Sequence, residues 1–275
     1  MLQEKNGIFY IAFDIFKKIP GLSAAVSARK GGASSVPFAS LNMSFSSGDD
    51  LRCVLENRRR YLSALRIVPE HIICCNQVHG VNVVQAGRSE RGCGALERES
   101  AIPSCDGLMT DEAGVPLTMN FADCTPLLFC DPVHHAIAVS HGGWRGTARN
   151  IAAVTLRRMH EVYGTEPGDV LAAIGPAIGP CCFEVGQDVI DEFTKLFSPI
   201  EMEELTRSSG NTYYFDLPKA NRMLLLRAGI RPENLEEAGI CTYCRDDLFF
   251  SYRKASKAGE QTGRHMAVIV WDERD

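Results

Sequence analysis

Three short stretches of the 275-residue chain carry residues able to do chemistry at points where an apolar run gives way to a loop. Asn76-Gln77-Val78-His79-Gly80 lies between two such runs and reads as a hairpin tip, with Gly80 supplying the turn and His79 exposed at a sheet rim. Ala122-Asp123-Cys124-Thr125-Pro126 separates two buried-looking strands. Proline has no N–H to give a ladder, so the chain is expected to bend or bulge beside Cys124. His141-Gly142-Gly143-Trp144-Arg145-Gly146 follows the strand-like AIAVS and precedes a helix from Thr147. A glycine-rich turn entering a helix aims backbone N–H groups at one spot and favours an anion there. Arg145 adds a planar fork suited to phosphate, beside the helix start at Gly146.

A zinc site with an open position needs three nitrogen or sulfur ligands. His79, Cys124 and His141 offer two imidazoles and a thiolate from three separate loops, and loops on one sheet rim can converge where mid-strand residues cannot. Their spacing shows no local HxxxH or CxxC, so each residue taken alone reads equally well as a turn or core residue. Two other chemistries use the same groups. Cys124 as nucleophile with His141 as base makes a metal-free hydrolase. Sulfur with imidazole also suits copper, although seven histidines are few for a laccase.

Other segments have a functional and a plain reading. Gly175–Gly186 is a pocket wall with Glu184 facing a ligand, or a rigid crossover. Cys181-Cys182 could form only a strained vicinal disulfide and is read as reduced. Cys241–Cys244 matches CxxC, but no second CxxC exists, so a complete structural zinc site is not expected there. Arg29, Arg58, Arg60, Arg253 and Arg264 each hold phosphate or belong to a solvated basic surface.

Elements must position these groups. Short runs rich in Val, Ile and Phe predict strands over 9–16, 24–29, 72–77, 81–85, 107–110, 116–121, 126–130, 136–141, 170–175, 213–216, 238–241 and 265–271. Helical periodicity spans 50–66, with Asp50 as N-cap, then 147–162, 186–197 and 217–228. Residues 87–105 read as a long exposed loop, and 198–212 as an insertion or helix end. Helices fall between groups of strands rather than alternating strictly, which predicts an α/β fold of the α+β kind, a layered sandwich around a mixed sheet. No linker interrupts the apolar segments, so residues 1–275 are expected to form a single domain.

Composition is that of a globular enzyme: 45% hydrophobic, 23% charged. A net charge of −5, with no basic run longer than Arg58-Arg59-Arg60, argues against a sequence-unspecific nucleic-acid binder. No long apolar stretch predicts a membrane helix, and the first residues lack a signal pattern, so a cytoplasmic location is expected. Eleven cysteines, an odd number in a chain this long, do not read as a disulfide scaffold.

The motifs occur in one order: VSARKGG at 26–32, SLN at 40–42, GDD at 48–50, ENRRR at 56–60, QVHG at 77–80, ADCTP at 122–126, HGGWRGTA at 141–148, IGPAIGPCCFEVG at 174–186 and FFSYRK at 249–254. Together they resemble the laccase-domain (YfiH-type) family, described first as multicopper polyphenol oxidases and later as purine nucleoside phosphorylases with adenosine deaminase activity. The resemblance covers residues 24–270. It implies a single-domain α/β sandwich, distantly similar to cysteine-hydrolase toxin domains. It implies zinc, with copper as an in-vitro substitute, held by His79, Cys124 and His141, and phosphate as co-substrate. It further implies phosphorolysis of adenosine, inosine, guanosine and methylthioadenosine and hydrolytic deamination of adenosine; a monomer or weak homodimer is expected. In that frame Arg145 with Gly146 is the first candidate for phosphate, followed by Arg58 and Arg29, while Glu184 or Asp123 would move the proton. Two departures stand out: Gly142 replaces the family's usual Ala, and Met43–Ser47 replaces a segment that often carries Gly and His before GDD.

Overall fold

The structure, a computed structural model, describes residues 1–210 and 212–273. Among them, fourteen strands form three sheets. The first runs β1 (Leu2–Lys5), β2 (Ile8–Ala12), β3 (Leu22–Ser27), β14 (His265–Trp271), β6 (Leu117–Phe121), all antiparallel. The second runs β13 (Leu235–Glu237), β9 (Leu171–Ile174), β7 (Thr125–Asp131), β8 (Ala136–Gly142), β5 (Gly107–Thr110), β4 (Val83–Gln85). Its outermost pairs are parallel and its inner pairs antiparallel, making the sheet mixed. A small antiparallel sheet joins β10 (Glu184–Val185), β12 (Thr212–Phe215) and β11 (Thr206–Ser209). The helices are α1 (Asp14–Lys17), α2 (Leu51–Ala64), α3 (Trp144–Ala148), α4 (Ile151–Tyr163), α5 (Gln187–Phe193), α6 (Pro199–Leu205), α7 (Leu217–Arg227) and α8 (Tyr252–Ala258).

The period-two pleat sorts each central strand into two cores. On β14, Met266, Val268 and Val270 pack with Tyr61 and Leu62 of α2, while Ala267, Ile269 and Trp271 face the second sheet. On β7, Leu128 and Cys130 face the first sheet, and Leu127 and Phe129 join α4, α5 and α7. The layers are therefore α2, the first sheet, the second sheet, and the α4–α5–α7 group. Strands covered on both faces read as continuous apolar runs, and β5, β7, β8 and β14 are buried at every residue. This is the layered mixed α/β architecture expected.

Local departures have physical causes. The run 9–16 is strand only to Ala12; a helical turn follows because it buries both Phe13 and Phe16, which a strand would send to opposite faces. Asn150, at φ 59°, splits the helix expected over 147–162 into α3 and α4, and its side chain caps α4 by accepting from the Ala153 amide. Residues 72–77 make only single bridges, because their amides bond alternately to Pro116, Cys93 and Ile102 on different neighbours. The strand expected over 238–241 instead ends at Glu237, before Gly239 turns the chain at φ 63°. The exposed loop expected over 87–105 buries Ala95, Ala101 and Cys105. Residues 199–209 are α6 and β11, with a Ser198–Glu201 capping box; Asn211 of the same expected insertion lies outside the described residues. No helix among the described residues is long and apolar enough to cross a membrane.

Leu128, fully buried between the sheets, reports on this packing. Leu128→Ala is expected to lower unfolding free energy by about 2–5 kcal/mol in urea titration. A loss below about 1 kcal/mol contradicts a close-packed inter-sheet core.

Candidate metal centre and cavity

The pairing of β7 with β8 sets the centre. Thr125 faces Gly142 and Pro126 faces His141, so Cys124 and Gly143 leave the sheet together. The bend expected beside Cys124 is present: Asp123 takes φ 85°. The Asp123 carboxylate, itself buried, accepts from Thr242 Oγ1 at 2.6 Å, Ser251 Oγ at 3.0 Å and the Arg253 amide at 2.6 Å. Its backbone carbonyl accepts from the Ile178 amide. Four contacts from two other loops thus hold the residue preceding Cys124.

His79 is not on a hairpin. The strand after it, β4, pairs in parallel with β5, and His79 itself rather than Gly80 takes the left-handed conformation, at φ 58°. That turn is held by Asp106, which directly precedes β5 and is wholly buried. Its carboxylate accepts from the amides of Val78 at 3.2 Å, His79 at 3.0 Å and Gly80 at 2.7 Å, and from His141 Nδ1 at 2.9 Å. One carboxylate thereby orients both histidines and leaves Nε2 of His141 free to act as a ligand, the arrangement in which a second carboxylate fixes a metal-binding imidazole.

The donor atoms of His79, Cys124 and His141 lie within 4.8 Å of one another. A Cβ placed on Gly143 would sit 2.9 Å from His79 Nδ1, 3.2 Å from Cys124 Sγ and 3.4 Å from His141 Cε1. The chain therefore keeps a side chain out of the space between the three donors. Two imidazoles, one sulfur and an orienting carboxylate fit a transition-metal ion with room for a further ligand. Burial alone would raise the Cys124 thiol, but His141 and His79 lower it to about 6. Burial likewise opposes protonation of His141, yet Cys124 and Asp106 raise it to about 9. Burial would also raise Asp106, but the His141 ring and the Gly80 and Val78 amides hold it below its usual range. Without metal, the mutual attraction of the pair favours a thiolate beside an imidazolium near neutral pH.

The three donors open into a cavity of about 600 Å³. Phe45, Trp144, Phe183 and Tyr252 give it aromatic faces, and Arg58, Arg98, Arg145, Arg253 and Arg264 give it positive charge. The Gln77 side chain bonds the Asn120 backbone, Nε2 donating to its carbonyl and Oε1 accepting from its amide, while the buried Asn120 side-chain Oδ1 has no partner. Ser44, Phe45 and Ser46, from the segment that departs from the family pattern, form part of the wall. At Gly142, the other departure, a Cβ would stand 2.9 Å from the Thr125 carbonyl oxygen, closer than the present backbone admits.

The expected anion-holding residues separate. Arg145 lies on the cavity with its guanidinium stacked 4.3 Å over Trp144, and that guanidinium makes no hydrogen bond among the described residues. Arg58 also lines the wall, but its Nε and Nη1 donate to the carbonyls of Met43, Gly94 and Ala95, so it is a strut. Arg29 lies outside the wall. Its guanidinium donates to the half-buried Ala39 and Asp246 carbonyls and covers Phe250, so those donors are already taken. Gly146 is buried, its missing Cβ allowing the Gly80 carbonyl to approach, so it packs α3 on the His79 turn. Glu184 is outside the cavity too; β10 directs its carboxylate to Lys257, 2.9 Å away. Asp123 lines the wall, but Thr242, Ser251 and Arg253 already occupy its oxygens. Sequence reasoning missed Asp106, whose only signal was an acid directly before a wholly apolar strand. It also missed Arg98 and Asn120, which reach the cavity only through the fold.

The chain belongs to the multi-copper polyphenol oxidoreductase laccase family, whose family model matches residues 23–272. It is 41% identical to the purine nucleoside phosphorylase YlmD of Geobacillus stearothermophilus over 90% of each chain. It is 30% identical to the adenosine deaminase RL5 of an unknown prokaryotic organism, over 93% of this chain and 96% of that one. The crystal structure of G. stearothermophilus YlmD superposes with a TM-score of 0.90 at 39% identity, covering 98% of both chains.

Two expectations check this geometry. In metal-free protein, alkylation of Cys124 by iodoacetamide should accelerate as pH rises through about 6, because deprotonation exposes the thiolate. A midpoint near the ordinary cysteine value would remove the imidazolium partner. Asp106→Asn, which keeps the shape and removes the charge, should weaken metal retention about 10–100-fold in chelator competition. Unchanged retention would show that Asp106 does not orient the ligands.

Proposed function

We propose that the protein is a zinc-dependent purine nucleoside phosphorylase that also deaminates adenosine. The observation that carries this reading is the juxtaposition, on one cavity, of three convergent metal donors around Gly143 with an uncommitted arginine and aromatic faces. The names of the related proteins support it.

Zinc held by His79, Cys124 and His141 supplies Lewis acidity and a route to a nucleophile at neutral pH. The protein's own groups do the rest. Aromatic faces such as Phe45 and Tyr252 stack a purine, and the unpaired Asn120 side-chain Oδ1 accepts from a base N–H. Arg145 holds phosphate by charge-assisted hydrogen bonds and orients it toward the sugar. In phosphorolysis a phosphate oxygen bonds to C1′ as the bond from C1′ to the base breaks, the base leaving with the bonding pair and taking up a proton, and the positive rim attracts the incoming anion. In deamination water adds at C6 and ammonia leaves. Glu184 is not the proton carrier in this reading, because its carboxylate lies off the cavity and is paired with Lys257. The substrates proposed are adenosine, inosine, guanosine and methylthioadenosine. The eleven free thiols suit the reducing cytosol, the compartment proposed.

A second reading has its own observation: Asp106, His141 and Cys124 form an acid–base–nucleophile line, as in a cysteine hydrolase. Metal content separates the two. Cys124→Ala is expected to lose one metal ion per chain and both purine activities while keeping the native far-ultraviolet circular dichroism. Full turnover by that variant would overturn the metal-dependent reading. Zinc-free wild-type protein that is rapidly and stoichiometrically alkylated at Cys124 would favour the hydrolase.

Arg145→Ala should raise the phosphate KM by an amount equivalent to about 1–3 kcal/mol, with a smaller effect on adenosine deamination, which uses no phosphate. An unchanged phosphate KM would remove Arg145 from that role.

A further inference from the structure

The fold gathers a second set of soft donors outside the cavity. Cys181, Cys182, Cys241 and Cys244 place their four sulfurs within 4.8 Å of one another. The Sγ of Cys244 lies 3.5 Å from that of Cys181 and 3.4 Å from that of Cys182. A tetrahedral zinc with Zn–S near 2.3 Å sets its sulfurs roughly 3.8 Å apart, so only a small adjustment seats an ion among them. A disulfide needs about 2.05 Å between one chosen pair, whereas Cys244 stands almost equally far from two partners.

The chain has no second CxxC to complete a site with Cys241 and Cys244. The fold supplies the missing half from an adjacent Cys-Cys pair. Ala177 bridges Cys241 in parallel, with its amide on the Ile240 carbonyl and the Thr242 amide on its own carbonyl. This lacing brings the two cysteine loops side by side. Gly179 lets them approach: a Cβ there would lie 3.3 Å from Cys241 Cβ and 3.5 Å from Cys181 Sγ. The Gly179 amide donates to Cys241 Sγ at 3.2 Å, a contact that favours the thiolate. Cys181 and Cys244 are exposed, giving an ion a path in.

We propose that Cys181, Cys182, Cys241 and Cys244 form a structural tetrathiolate site for a zinc ion. Binding displaces the thiol protons, and no electron transfer is involved. The same loops carry Ile178 and Thr242, which bond the backbone and side chain of Asp123 beside Cys124. The ion therefore ties together the support on which Cys124 rests.

The test is elemental analysis of full-length protein purified under reducing conditions without added metal, for wild type, Cys124→Ala, Cys244→Ser and the double variant. Cys181→Ser serves as an independent second variant should Cys244→Ser fold poorly. Cys124→Ala should keep one zinc per chain, and adding Cys244→Ser should remove it. Cobalt reconstituted into Cys124→Ala should give the intense thiolate charge-transfer and visible bands of a tetrahedral sulfur site, absent from the double variant. A Cys124→Ala chain that holds no metal, even after zinc or cobalt is added, overturns the proposal. So does a disulfide among the four cysteines in anaerobically purified protein. Should the cavity donors bind nothing, wild type and Cys124→Ala would hold the same single zinc and Cys244→Ser none. That result would fail the proposed function while leaving this inference intact.

Discussion

The buried carboxylate of Asp106 is the constraint on which the candidate centre depends. It accepts three backbone amides from one turn and a ring nitrogen from His141, so two histidines distant in sequence share one anchor. Leaving a carboxylate in a protein interior is costly unless its oxygens are filled, and here they are filled. The cost of losing any one partner is therefore high, which fixes the His79 turn in a conformation that a non-glycine residue seldom adopts.

Asp123 does the corresponding work for the sulfur ligand. Its side chain and carbonyl are bonded by the loops that follow β9 and β13, and those loops are laced to each other through Ala177 and Cys241. The centre is thus supported from two sides, by Asp106 at the start of β5 and by Asp123 through the surrounding loops. Both acids act by holding neighbouring amides and side chains in place, so neither needs to touch a substrate to matter. Around them the four-layer packing provides rigidity, since β7 and β8 are covered on both faces.

Charge at the cavity is distributed in an uneven way. Arg58 and Arg29 have the right residue type for holding an anion, yet both spend donors on backbone carbonyls, which for Arg58 are buried. Arg145 is different because it rests on Trp144 and keeps its donors open to the cavity. A guanidinium is a strut or a ligand-binding fork according to what already occupies it.

The sequence by itself determined the layered mixed α/β class, because its buried strands are nearly continuous apolar runs whose ends can be read within a residue or two. β5 and β14 were legible to the residue, and α2 announced its start through Asp50. It also determined which residue types could bind metal, since imidazole and thiolate chemistry is local. Only the tertiary structure decided which of them meet. That Cys124 lies beside Gly143 follows from strand register, and register is set by long-range pairing. That Glu184 turns to Lys257, that Asp106 anchors two loops, and that an adjacent cysteine pair completes a distant CxxC are likewise contacts between segments far apart along the chain. No local pattern encodes them, because their energy exists only once the layers have closed and water has been removed.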